Sequence, residues 1–157
     1  MAELMTKIVD LVFPSRRPIA SFDDPRLGQL LWSHDEEGWT GQVAGIHFVI
    51  DRASGAQPDP RLIEYAESVL LDDPDWLLHR LEAAKTQFLQ ECGDDEMAAY
   101  YAPELDTLRY DVVYFRVRQR TPALFAHLGE CGDGLAPDRL WWIELGERTC
   151  YGLGFDT

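Results

Sequence analysis

Lysine is almost absent from this chain. Of its 14 basic residues only Lys7 and Lys85 are lysines and the other twelve are arginines, set against 28 Asp plus Glu. The formal net charge is -14 and the sequence pI is about 4.5. A field of that sign repels phosphate backbones and anionic membranes and attracts basic protein surfaces, which argues against a nucleic-acid or membrane binder. Cysteine is sparse too. Cys92, Cys131 and Cys150 are odd in number and widely spaced, so they define no disulfide framework and no C-x-x-C zinc knuckle. A reducing, cytoplasmic setting is the simpler expectation. Long apolar runs are missing as well. The only short one near the start, Ile8 to Phe13, is broken by Asp10 and reads as neither a signal peptide nor a membrane span.

What is present is an ample supply of core material. Apolar residues make up 46% of the 157, with 5 Trp, 6 Tyr and 7 Phe. That is enough to build one folded domain despite the charge. We expect an N-terminal extension over 1–22 and an α+β body over 23–157. Residues 14–26, with Pro14 and Pro18, read as a linker-like approach.

Three strands are predicted over 27–52: Leu27 to Ser33, Trp39 to Ala44 and Ile46 to Asp51, with Gly45 as a bend. Ala44, Ile46, Phe48 and Ile50 share one parity and should form a buried face. Two helices should follow, announced by Asp59-Pro60 and Asp73-Pro74, each an N-cap before a proline at the first helical position. Leu62, Ile63, Ala66, Val69 and Leu70 stripe the first; Leu77, Leu78, Leu81, Ala84, Phe88 and Leu89 stripe the second, which Gly93 should close. Residues 94–107 look partly irregular, with a short helix from Glu96 to Tyr101 before Pro103. Four strand signals then run over Leu108–Arg118, Ala123–Gly129, Leu140–Leu145 and Thr149–Phe155. The order strands–helices–strands predicts a mostly antiparallel sheet with two central helices packed on one face. Glu-Cys-Gly-Asp occurs at 91–94 and again at 130–133, in contexts different enough to read as coincidence.

No catalytic signature stands out. His34, His47, His79 and His127 do not pair at metal-ligand spacing, and His127 with Cys131 straddles a predicted strand end. Cys150 sits inside a strand beside Tyr151, as a packing residue would. The glycines of Tyr151-Gly152-Leu153-Gly154-Phe155 precede no helix, so they form no phosphate cradle and suit a glycine-relieved strand. Glu144, inside LWWIEL, would need Arg116, Arg118 or Arg148 as partner if it faced inward, and we read it as a structural ion pair. No metal and no cofactor is expected.

The acidic clusters carry the sharper reading. Asp35-Glu36-Glu37, Asp72-Asp73 with Asp75, and Asp94-Asp95-Glu96 all fall in predicted loops or element ends, where they can capture a basic partner. Trp39, Trp76, Tyr100 and Tyr101 lie close by in sequence and offer aromatic anchors, Tyr100 and Tyr101 being taken as part of the binding surface.

Asp24-Pro25-Arg26-Leu27-Gly28, followed by Gly38-Trp39-Thr40-Gly41, resembles a family of small bacterial domains with an Asp-Pro-x-Leu/Phe-Gly start and a Trp-x-Gly strand. Several of those domains are similar to immunity proteins encoded beside secreted polymorphic toxins. The resemblance covers about residues 23–51, continues in outline through the C-terminal half, and brings no catalytic residue with it. It implies a cytoplasmic, non-enzymatic protein that binds a cognate, basic toxin domain and blocks its active site. Gly28 and Gly41 should serve strand packing and Trp39 the core. The alternatives are an adaptor or regulatory binding module, or a small hydrolase using Glu144 or a Cys–His pair.

Overall fold

A computed structural model describes residues 20–51, 57–130, 139–147 and 149–156. Eight strands form a single sheet in simple sequence order: β1 Ser21–Asp24, β2 Gly28–Ser33, β3 Gly38–Val43, β4 Ile46–Asp51, β5 Leu108–Arg118, β6 Thr121–Glu130, β7 Leu140–Gly146 and β8 Cys150–Asp156. Each neighbouring pair is antiparallel except β4 and β5, which run parallel. The reason is the connection. Within each half, strands that follow one another in sequence pair antiparallel, whereas the chain crosses from β4 to β5 through helices and returns in the same direction.

Those helices are α1 Pro60–Glu67, widening into a π-helical turn over Ser68–Asp72, α2 Trp76–Glu91 and α3 Asp95–Thr107. The class is therefore α+β, as expected, with three helices on the sheet among the described residues rather than two. The third was expected only as a short helix from Glu96 to Tyr101, because Pro103 argued for an early stop. It lies in the helix interior, where a missing N–H is costly. Two anchors further along hold the last turn in place: Leu105 is fully buried, and Glu104 accepts hydrogen bonds from Trp141 Nε1 at 2.6 Å and Arg139 Nη1 at 2.7 Å.

Helix starts follow the expected signals only in part. Asp59 caps α1, its side chain accepting the Arg61 N–H at 2.9 Å. Asp73 does not cap α2: Pro74 and Asp75 form a turn first, and Asp73 contributes its carbonyl to the Trp76 N–H at 3.0 Å. Asp94 caps α3 by accepting the Met97 N–H at 2.7 Å. Gly93 ends α2 with φ +83°. The first Glu-Cys-Gly-Asp is thus a helix-to-helix corner, while the second runs out of the described residues.

The linker reading of 14–26 also needs correction at its end. Phe22 pairs with Leu30 in β1 and packs edge-on against Trp39 at 6.3 Å, so the sheet body begins by Ser21. The proline density of the segment hid this short edge strand. The following Asp24-Pro25-Arg26-Leu27-Gly28 is a hairpin corner. The Asp24 carboxylate accepts the Arg26 N–H at 2.9 Å and the Leu27 N–H at 2.7 Å. Gly28 supplies φ +82°, with nothing near its absent Cβ, so it serves the turn and not the packing expected of it.

All three helices cover one face of the sheet. Phe48, Ile50, Val113, Phe115, Leu124, Ala126, Trp141, Ile143 and Leu145 meet Leu62, Ala66, Leu77, Leu81 and Leu105 in one core. Of the parity set expected on the third and fourth strands, Phe48 and Ile50 are buried, Ile46 is half-buried and Ala44 is exposed. Ala44 and Gly45, at φ 51° and 81°, form the two-residue turn of the β3–β4 hairpin. Leu78, expected in the apolar stripe of α2, is 49% exposed.

Candidate functional site

The sheet face opposite the helices is where chemistry collects. No described element packs on it. A hollow of about 280 Å³ on this face is lined by Asp51, Tyr114, Arg116, Phe125 and His127. Strand alternation puts them there. Val113 and Phe115 point into the core, so Tyr114 and Arg116 point out. Register then aligns Tyr114 with Phe125 on β6 and with Val49 on β4, whose next residue but one is Asp51.

The surrounding side chains hold one another. Tyr114 and Phe125 both lie against His127, with ring centroids 5.6 and 5.1 Å away. Trp142 stacks on Phe125 at 6.2 Å and 25°. Gly154 lets Trp142 lie flat on β8, because a methyl there would sit 2.7 Å from Trp142 Cζ2. The arginines lie over rings: Arg116 over Phe125 at 4.9 Å and Arg118 over Tyr151 at 3.9 Å. Between them stands Glu144, 2.8 Å from Arg116 Nη2 and 3.5 Å from Arg118 Nε. The ion pair expected for Glu144 is present, on the open face rather than in the core.

Two groups at the hollow titrate abnormally. Burial pushes the Asp51 carboxyl above its ordinary range, and Arg116 offsets part of that. Burial also raises the Tyr114 phenol, helped by its hydrogen bond to Glu36 Oε2 at 3.1 Å.

That bond links the site to the first acidic cluster. Asp35, Glu36 and Glu37 occupy the exposed β2–β3 turn at the rim of the open face. The second cluster lies elsewhere. Arg26, in the β1–β2 corner, bonds Glu67 at 3.1 Å and also Asp72. Asp72, Asp73 and Asp75 therefore sit near the opposite end of β2, whose six residues span roughly 20 Å. Asp94, Asp95 and Glu96 occupy the cap and first turn of α3, where carboxylates complement the helix dipole. The structure thus gives Glu36, Asp72 and Asp94 local structural tasks and separates the first two clusters. Tyr100 is 61% exposed and its hydroxyl accepts from Arg139 Nη2 at 3.1 Å. Tyr101 is half-buried, packed against the core beside Phe88, Trp141 and Phe155. Trp39 is core, and Trp76 lies under Arg80.

The sequence passed over Asp51, Tyr114, Phe125 and Trp142 as site residues and singled out His127 only as a metal ligand to be set aside. A signal existed: β5 and β7 alternate apolar residues with aromatic or charged ones. It identifies two-faced strands, but not which residues of distant strands become neighbours.

Among the described residues, no group of three or more His, Cys, Asp or Glu is placed to hold a metal ion. Cys150 pairs with Leu145 on the helix-side parity, and burial raises its thiol. Cys131 and Arg148 lie outside the described residues. No described helix is long and apolar enough to cross a membrane. The chain matches no family model, no curated protein and no solved structure.

Proposed function

We propose that this chain is a cytoplasmic immunity protein, which binds a basic toxin domain and blocks its active site through an acidic surface. The net charge of -14 is the observation that carries the reading. Carboxylates would engage the Lys and Arg that the toxin uses on its own substrate, and complementary charge would speed encounter. The exposed Asp35-Glu36-Glu37 turn, Asp73 and Asp75, and Asp95 with Glu96 supply that surface, with Tyr100 as an exposed aromatic beside the last group. The resemblance of residues 23–51 to small bacterial domains, several of them similar to immunity proteins, points the same way.

The test is capture of partners by the tagged chain from the bacterium that encodes it, at low and moderate salt. A single stoichiometric, basic partner encoded next to this gene is the expected result. Reversing the charge of the 35–37 and 72–75 clusters together should abolish capture. Unchanged capture would remove the acidic surface from the account.

One observation favours a second reading, a small hydrolase. A carboxyl raised by burial in a hollow that a histidine also lines, as Asp51 and His127 both do, is a feature of functional sites. Turnover of an ester or phosphoester panel by the purified chain, lost in Asp51→Asn, would establish it in place of the immunity reading.

A further inference from the structure

The open sheet face differs from the acidic loops in kind: it is aromatic and only partly exposed. Tyr, Trp and Arg, the residues that dominate binding energy at protein interfaces, are concentrated on it as Tyr114, Trp142, Tyr151, Arg116 and Arg118. Its hollow of about 280 Å³ is just below the ~300–1,000 Å³ typical of small-molecule sites, a size suited to one long side chain.

We propose that this face is the docking surface for a basic protein, with one arginine or lysine side chain of that partner seated in the hollow between Asp51 and the Tyr114 and Phe125 rings. The proposal rests on the partner-binding reading above and adds the face and the contact. Charge complementarity selects the occupant. At -14 the chain attracts a cationic surface and repels a second copy of itself and any nucleic acid. Within the hollow, the resident cation Arg116 is held by Glu144 at 2.8 Å, and Glu36 adds a further carboxylate at the rim. The face already receives guanidinium groups on aromatic rings, since Arg116 and Arg118 both lie that way. With Trp142 and Arg116 already on the Phe125 ring, a third guanidinium would find the Tyr114 ring and, in Asp51, a carboxylate whose burial Arg116 offsets only in part.

The test needs no knowledge of the partner. The full chain, with its aromatic side chains isotope-labelled, is titrated with the peptide acetyl-Gly-Arg-Gly-amide and followed by NMR. Norleucine and glutamate peptides of the same length serve as controls. Saturable millimolar shifts of the Tyr114, Phe125 and His127 rings with the arginine peptide are expected, at least tenfold weaker with norleucine. Asp51→Asn should weaken the arginine peptide at least fivefold, and Asp106→Asn, exposed on α3 on the other side of the sheet, should leave it unchanged. A thermal melt of Asp51→Asn confirms that it is folded. Absence of saturable shifts at these rings, equal shifts with norleucine, or an undiminished response in Asp51→Asn would overturn the proposal. If it is overturned while the wild-type chain still captures a basic partner that the charge-reversed loops lose, the immunity reading survives and only the docking face is wrong. If the peptide binds as stated but no partner is captured, the reverse holds.

Discussion

Replacing Gly41 with alanine tests whether the Trp-x-Gly motif is architectural. Gly41 lies on β3 opposite Phe48, beneath the helices. A methyl built there would stand 2.5 Å from Phe48 Cζ and 2.8 Å from Leu30 Cδ2. That is about 1 Å short of ordinary contact. Neither neighbour can withdraw easily. Leu30 and Phe48 are at most 1% exposed, and Phe48 packs edge-on against Phe115 at 6.1 Å, which in turn meets Tyr65 at 5.8 Å. Overpacking of a tight core costs about 1–3 kcal/mol. Removing glycine from the unfolded chain returns about 0.4–1 kcal/mol. The net loss should be about 1–2 kcal/mol, which lowers the melting temperature by roughly 2–8 °C for a domain of this size. Circular dichroism melts and urea unfolding measure it. Phe48→Leu, which trims the clashing ring edge, should couple with Gly41→Ala so that the double variant loses less than the two single losses combined. A neutral Gly41→Ala, or strict additivity with Phe48→Leu, would refute the argument from packing.

Other outcomes follow from the same coordinates. Gln119 and Arg120 form the β5–β6 turn with φ 49° and 70°, values that cost side-chain-bearing residues about 1 kcal/mol each, so Arg120→Gly should raise stability in urea unfolding. Asp51 should make stability depend on pH. Its folded carboxyl is raised, so its favourable contribution is present below the ordinary carboxyl range and lost as pH rises through the folded value. Asp51→Asn should therefore be more stable than the wild type at pH 7, with the difference closing as the pH falls below about 4 in parallel thermal melts. Asp94→Ala removes the side-chain cap of α3 and should cost about 1 kcal/mol, read from urea midpoints. The raised Cys150 thiol should react slowly with iodoacetamide in the native chain and quickly in denaturant, followed by mass spectrometry of the labelled peptide.

Seven of the eight strands could be placed from sequence because their alternation is local, and a two-residue period needs no partner to be seen. β1 was missed because four residues beside prolines carry too little pattern; Phe22 becomes a strand residue only through Leu30 and Trp39. α3 shows the same limit in reverse. A local rule about Pro103 lost to distant contacts, Arg139 and Trp141 reaching Glu104 from the other end of the sequence. Asp73 illustrates a third case, since an Asp-Pro pair satisfies both a helix cap and a turn, and the geometry of the α1–α2 corner selected the turn.

By itself the sequence determined the fold class, the strand–helix–strand order, the identity of most of the core and a charge that directs the search toward basic partners. Each of these depends on composition or on spacing within one segment. Only the tertiary structure decided that Asp51, Tyr114, Arg116, Phe125 and His127 share one hollow, because they come from three strands whose register is set by distant pairing. It also decided that the 35–37 and 72–75 clusters stand near opposite ends of β2. Net charge sums over a sequence without regard to position, whereas a binding site is a matter of which side chains the folded sheet brings to the same face.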